Sequence, residues 1–461
     1  MTPDPTPDVL VAGGGTAALC AAISARRAGA RVALLERAPR ARRGGNTRHA
    51  RNFRYAHDTA NALSSGPYPA ATFLADLQGV TEGGADPQLA RLLVERSADL
   101  PAWLGGCGVA LQPRAGGVLP PSRKTAFLLG GGTAMLNALY AEAERLGVTI
   151  HYQYALEDPG LDGERVGRVG VRDPHGATLH LAPGALILCS GGPHANRDWL
   201  ARHWGARAVG ILNRGTPYSE GRALLRLLEQ GAEPIGDPGR AHLVAIDGRS
   251  PVDDGGIVTR VRCMPAGIVV DSACRRFLDE GGDTASTRYA RWGQRLIDCP
   301  DQVAYLVLDT PAWQSAPPSL YPPITAPTPE ALAVRLGLDP AALVATLAAY
   351  NAAVRPGETA EDGHTEGLEP PKSGHARVLD TPPFAAYPMR PGITFGYQGL
   401  AVAPDTRVRL TRGGVATNLF AAGVAMQPNL IPRGYVSGLA LAIGMVFGRI
   451  AGEEAANHVL N

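Results

Sequence analysis

The run Gly13-Gly14-Gly15-Thr16-Ala17-Ala18 is the feature that most restricts what this chain can fold into. Before it stands Val9-Leu10-Val11-Ala12, a short apolar stretch of the kind buried on both faces of a parallel sheet. After it, Ala17 to Ala28 is rich in helix formers, and Arg31 to Glu36 returns to a strand pattern. Strand, glycine turn, helix and strand make a βαβ unit, and the turn fits G-x-G-x-x-A. Gly13 permits the tight turn, Gly15 lets backbone approach a pyrophosphate, and Ala18 lets helix pack on strand. The helix N-terminus presents free N–H groups to phosphate. Glu36 ends the second strand, where an acid accepts hydrogen bonds from an adenosine ribose and disfavours a 2′-phosphate. The unit is expected to bind a dinucleotide.

Three further stretches point to FAD rather than NAD. Arg37 follows the acid, and Arg43-Gly44-Gly45-Asn46-Thr47 lies where a flavin enzyme wraps ribityl and pyrophosphate. Ala185 to Cys189, followed by Ser190-Gly191-Gly192, is a buried strand ending in a tight turn. Asn418 to Gly423 is a strand entering a turn, and Gly434-Tyr435-Val436-Ser437-Gly438, with Leu439, opens a last helix. The dipole of that helix would stabilise negative charge on a reduced flavin ring. Gly130-Gly131-Gly132 lacks a following acidic strand and is expected to be a helix-entry turn. With no second complete motif, NAD(P)H is not an expected partner.

At 461 residues the chain suits two or three domains. Residues 85–147 are expected to be mostly helical, and 148–189 to carry strands. Residues 240–375 change texture, with short strands, many prolines and a helix near Leu343 to Ala353. The expected architecture is α/β: a discontinuous Rossmann-like domain (1–238 and 377–461) around an inserted α+β capping domain (239–376). Lys+Arg 44 against Asp+Glu 42 gives +2, so no global field attracts nucleic acid. The cysteines at 20, 107, 189, 263, 274 and 299 show no metal spacing. No metal is expected, and the thiols are expected to be reduced. The Pro- and Asp-rich start lacks a signal-peptide pattern, and Leu439 to Phe447 is too short to span a bilayer. A cytoplasmic protein is expected.

Seven stretches carry a family resemblance: GGNTRHARNFRYAHD (44–58), NRGTPYSEGRALLRLLEQGA (213–232), AHLVAIDGRSP (241–251), GGIVTRVRC (255–263), RFLDEGG (276–282), GHTEG (363–367) and RPGITFGYQGL (390–400). In this order they resemble the flavoprotein family of fumarate reductase, succinate dehydrogenase and 3-ketosteroid Δ1-dehydrogenase. The resemblance implies FAD, non-covalently held, in the Rossmann-like domain, with the cap closing over substrate. It implies hydride transfer between flavin N5 and one carbon of a carboxylate substrate, while a side chain handles the proton on the neighbouring carbon. The family's proton carrier, an Arg after an RF-x-[ND]-E run, matches Arg288, which follows Arg276-Phe277-Leu278-Asp279-Glu280. Its cap histidine matches His242, and its V-T-E segment matches Val258-Thr259-Arg260 with Arg for Glu. Two departures stand out. The histidine of the reductases' H-H-T-M-G-G run is absent after Pro391-Gly392, which argues against plain fumarate reduction. The family's A-G-E is Ala422-Gly423-Val424 here, so the Glu on the ribityl side is missing.

Desaturating a saturated acid removes Cα–H as a proton and Cβ–H as a hydride. The substrate carboxylates are already negative, so a dry pocket of fixed cations is required. Arg forks bind carboxylates bidentately and keep their charge on burial. Candidate catalytic residues are Arg288, Arg260, His242 and His364, the histidines because imidazole titrates in the useful range. Candidate substrate-binding residues are Arg54, Thr259, Tyr397, Arg433 and Tyr435. The reaction that the resemblance implies is tricarballylate to cis-aconitate, and the acceptor it implies is a membrane-bound iron–sulfur protein. Another acid or enone, or a flavin subunit dependent on a partner, are the alternatives.

Overall fold

The computed structural model describes residues 3–4, 6–283, 288–317 and 319–461. The chain packs into two compact units: 1–203 with 215–242 and 395–461, and 204–214 with 243–394.

The first unit is organised by a six-stranded sheet. Its order is Arg407–Arg409, Val415–Ala421, Ala185–Leu188, Val9–Ala12, Val32–Glu36 and Thr149–Tyr152. All neighbours are parallel except the antiparallel edge strand Arg407–Arg409. Val11 sits opposite both Ile187 and Leu34, so the first strand is central and its four residues are buried. Continuous apolar strands of this kind are what helix-covered parallel sheets require. The helix Thr16–Arg27 packs along the last helix, Leu439–Leu460. Gly448 and Gly452 make that approach possible. A Cβ there would stand 2.5 Å from the Ala17 carbonyl oxygen and 2.2 Å from that of Ala21. Among the described residues no helix is long and apolar enough to cross a membrane.

The second unit is a mixed sheet between two cores. Ile268–Asp271 pairs antiparallel with Ala304–Leu308, which pairs with the long strand that begins at Phe384. Side chains alternate between faces as a strand demands. Val269, Leu306, Leu308, Ala385 and Tyr387 join one core, under Trp292 and Leu296 of the helix Arg288–Leu296. Ile268, Val270, Val307, Phe384 and Ala386 join the other, under Leu343, Leu347 and Tyr350 of the helix Pro340–Ala353.

Residues 155–181 supply a separate three-stranded antiparallel sheet within the stretch expected to carry strands. The limits of the compact units differ from the expected boundaries at two places. Residues 377–394, expected in the Rossmann-like domain, belong to the second unit, because Ala385–Met389 pairs with Ala304–Leu308. Residues 204–214 join the same unit, Leu212 and Asn213 pairing with Gly392 and Ile393.

Candidate active site

The glycine turn lies at the C-terminal end of the first strand, where neighbouring strands diverge to either side. This switch point is where open α/β sheets bind ligands. Gly13 has φ +125°, and a Cβ there would lie 2.3 Å from the Cys189 carbonyl oxygen. At Gly14 it would lie 2.1 Å from Glu36 Oε2 and 2.3 Å from the Tyr140 hydroxyl. Both glycines are therefore demanded by the protein's own packing. Gly15 is different: its nearest neighbours, Gly44 O and Thr47 Oγ1, stand at an ordinary 3.5 Å. Its bare face is left for a ligand to approach. Thr16, the first helical residue, donates its N–H and its hydroxyl to Thr47 Oγ1 at 3.1 and 2.9 Å. Ala17 and Ala18 follow, buried in the first turn.

Glu36 is 5% exposed and accepts from the N–H groups of Ala38 (2.8 Å) and Gly44 (3.0 Å). Burial pushes its carboxyl up, opposed by those backbone donors. The Arg37 N–H acts on the same carboxylate, whose two oxygens can accept further donors. Arg37 pairs with Glu220, and Arg43 stacks over Tyr140 at 4.6 Å. Gly44, Gly45, Asn46 and Thr47 form the turn beside the cradle, Gly45–His49 being a short 3-10 helix. Ser190, Gly191 and Gly192 follow the strand Ala185–Leu188, and Gly423 follows Val415–Ala421. A Cβ on Gly423 would meet that of Ala17 at 2.8 Å.

The polar groups along this edge fit a large polar ligand such as FAD. Ser190 Oγ, His194 Nδ1 and both amide atoms of Gln427 are buried without a hydrogen-bond partner among the described residues. Native proteins rarely leave such groups unsatisfied. All three residues follow C-terminal ends of sheet strands, the edge on which a dinucleotide lies.

Ser437, Gly438 and Leu439 open the last helix, with Gly438 as its left-handed cap. Asn52 donates to Ser437 Oγ at 3.1 Å, and Arg54 donates through Nε to the Ser437 carbonyl at 3.2 Å. Arg54 is 5% exposed and also bonds the Tyr68 hydroxyl and Asp76, at 2.8 Å from the carboxylate. Lys124 reaches the same Asp76 oxygen at 2.7 Å. Arg54 thus fastens the helix start and has its charge met by Asp76. The spacing of Asp76 and Lys124 gave no signal of this in the sequence. Arg433 is exposed and paired with Glu82. His242 is buried in an aromatic cluster, its ring 5.2 Å from Phe395 and 4.7 Å from Tyr435. Tyr397 is buried and donates to the Gly434 carbonyl at 2.7 Å.

In the second unit, one strip of chain gathers the basic candidates. Arg260 is half-buried, its guanidinium 4.6 Å over the Tyr289 ring and its Nε bonded to Ile257 O at 3.0 Å. Arg288 begins the helix and donates to the Arg262 carbonyl at 3.1 Å. A recess is lined by Arg260, Arg262, Cys263, Ser319 and Tyr387. Thr259 is buried and donates to Gly256 O at 3.3 Å. His364 is exposed on a two-residue strand, with Nδ1 3.3 Å from Asp362 O.

The RFLDE run is structural. Arg276 and Glu280 form a buried pair at 2.6 Å, and Glu280 also accepts from Val269 N. Asp279 holds the N–H groups of Gly281, Gly282 and Ser373. Close by in sequence to Ser373, Lys372 is fully buried and donates to Pro265 O and Gly267 O at 2.7 and 2.6 Å. Burial lowers its amine to about 8.

The model of the FAD binding domain family matches residues 8–432. A probable fumarate reductase of Shewanella frigidimarina is 26% identical to this chain, over 100% of this chain and 76% of its own. The open conformation of a flavocytochrome c3 fumarate reductase superposes with a TM-score of 0.80 at 23% identity, covering 100% of this chain and 79% of that one. The 3-ketosteroid-Δ4-(5α)-dehydrogenase from Rhodococcus jostii RHA1 gives 0.71 at 24% identity, covering 99% and 98%. At these identities the two structures speak for the fold. The match over nearly the whole length, joined to a strand, glycine turn and helix whose polar edge suits a dinucleotide, carries the conclusion that the chain belongs to the FAD-binding-domain family of fumarate reductase flavoproteins and is an FAD-dependent oxidoreductase acting on CH–CH groups.

Proposed function

We propose that this oxidoreductase is a dehydrogenase that desaturates a small polycarboxylate, converting tricarballylate to cis-aconitate in the manner of a tricarballylate dehydrogenase. The observation that carries this reading is the strip holding Arg260, Arg262 and Arg288 in the second unit, with Arg288 bonded to the Arg262 carbonyl. Several guanidinium groups on one short strip suit a substrate with several carboxylates. A steroid would call for a broad apolar face instead. In this reading residues 239–376 form the substrate domain.

FAD, when bound, supplies the two-electron acceptor for the hydride that leaves the β-carbon. The chain's own groups do the rest. Arg260, its guanidinium over the Tyr289 ring, binds and neutralises carboxylates. That neutralisation lowers the cost of building carbanion character at the α-carbon. Arg288 is the proposed proton carrier, a role in which a relay first takes one proton from its guanidinium so that it can accept the one leaving the α-carbon; His242 is the alternative, imidazole being the commonest general base. Thr259, Tyr397 and Tyr435 are proposed to orient substrate. Arg54 and Arg433 stand lower as substrate ligands because carboxylates of the chain already meet them. His364 stands lower because it is exposed. The proposed acceptor of the electrons is a membrane-bound iron–sulfur protein.

The test is anaerobic mixing of purified yellow protein with tricarballylate, citrate, succinate, fumarate and an enone while flavin absorbance is followed. Fast bleaching by tricarballylate above the others is expected. Bleaching by the enone alone contradicts the polycarboxylate assignment. Bleaching only with a partner protein present favours an electron-transfer subunit.

A further inference from the structure

His194 follows Ser190-Gly191-Gly192-Pro193 and is 1% exposed. Its Nε2 lies 3.1 Å from Asn46 Nδ2. The Asn46 amide is oriented by its other end, because Oδ1 accepts the Thr216 N–H at 2.9 Å. Asn46 Nδ2 must therefore face the imidazole, and an amide nitrogen only donates. Nε2 is then the acceptor. In a neutral ring the proton must sit on Nδ1, which makes Nδ1 a donor. Burial lowers the ring to about 4, which keeps it neutral at ordinary pH.

That Nδ1 has no hydrogen-bond partner among the described residues. Its surroundings are specific. A Cβ built on Gly192 would lie 3.6 Å from Nδ1 and 3.3 Å from Val424 Cγ1. The bare Gly192 and the aliphatic Val424 both lie close to this edge of the ring, and neither side chain offers an acceptor. A buried N–H beside a bare glycine and an aliphatic side chain costs free energy unless a ligand oxygen or nitrogen meets it.

The position says which part of the ligand this is. Glu36, placed for ribose, ends the strand on one side of Val9–Ala12. His194 and Val424 follow the strands Ala185–Leu188 and Val415–Ala421, on the other side. A dinucleotide stretched across the switch point puts its second half there. We propose that His194 is an FAD-binding residue, donating from Nδ1 to an acceptor atom on the ribityl–isoalloxazine half, with Asn46 fixing its tautomer. The assignment rests on FAD binding and is independent of which acid is oxidised.

The test uses the holoprotein. FAD release on dilution, followed by recovery of flavin fluorescence, is expected to be ~10-fold faster in His194→Leu, the scale of one lost buried hydrogen bond. The visible flavin band should shift, and ADP binding to flavin-free protein should be unchanged. His194→Gln, which keeps an N–H donor, should restore much of the retention. In wild-type holoprotein, ¹⁵N NMR should find Nδ1 protonated and Nε2 bare, a readout that survives if the variants do not fold. Unchanged release and spectrum in folded His194→Leu, or a proton on Nε2, would overturn the assignment.

Discussion

In the first unit the cradle beside Val9–Ala12 is made of backbone. Gly13 and Gly14 exist so that strand ends, Glu36 and Tyr140 can close on one another, and Gly15 leaves its main chain with only ordinary neighbours at 3.5 Å. In the second unit the recess around Arg260 is made of side chains, carried on a segment anchored by Lys372 and by neighbours of the buried Arg276–Glu280 pair. Backbone sites fail by collision, whereas side-chain sites fail by loss of charge or of the frame that holds it. The two units should therefore break differently.

The largest stability effect is expected in the second unit. Glu280→Gln leaves Arg276 charged and buried without its carboxylate, which should cost about 3–5 kcal/mol. Chemical denaturation of the holoprotein measures it, and a loss under ~1 kcal/mol would show that the pair is not the frame it is taken to be. In the first unit, Gly13→Ala forces a Cβ into the Cys189 carbonyl at a positive φ. Strain and overpacking together should remove about 3 kcal/mol, with loss of bound flavin.

A third effect, of up to about 3 kcal/mol, depends on pH. His194 is held at about 4 against an ordinary 6.5. Between those values the unfolded chain binds a proton that the folded chain does not. The stability from this group is complete above pH 6.5 and is lost as pH falls toward 4. His194→Leu should flatten that part of the stability–pH curve, and an identical curve would remove His194 as its source. The smallest effect separates the glycines. Gly15→Ala meets only ordinary contacts, so the protein should melt normally while holding FAD ~10-fold or more weakly. Equal melting losses for Gly13→Ala and Gly15→Ala would erase the distinction drawn between them.

The same contrast governs what the sequence discloses. The cradle is legible because a backbone site needs glycine at fixed offsets, flanked by a strand and a helix with an acid beyond. Few other residues satisfy those demands. The central strands were legible for a similar reason, being continuous apolar runs. The second unit is harder. Arg276 and Arg288 stand in one stretch of chain, yet one is locked to Glu280 and the other bonds a backbone carbonyl. Sequence spacing does not distinguish them, since any Arg can be neutralised by a carboxylate distant in the chain, as Asp76 does for Arg54. The boundary near residue 394 was hidden because Phe384–Leu400 is one continuous strand that contributes to both units. His194 escaped notice although it adjoins Ser190-Gly191-Gly192, because only the orientation of Asn46 gives its ring a defined donor.

The most direct test of the division between a backbone-built flavin cradle and a side-chain-built recess proposed for substrate is one stopped-flow comparison of Arg288→Ala with wild type, each loaded with FAD and mixed anaerobically with tricarballylate. The account predicts equal flavin content and equal visible spectra, with flavin reduction in the variant slower by ~10²–10⁴-fold. Loss of flavin from the variant, or reduction at the wild-type rate, would contradict it.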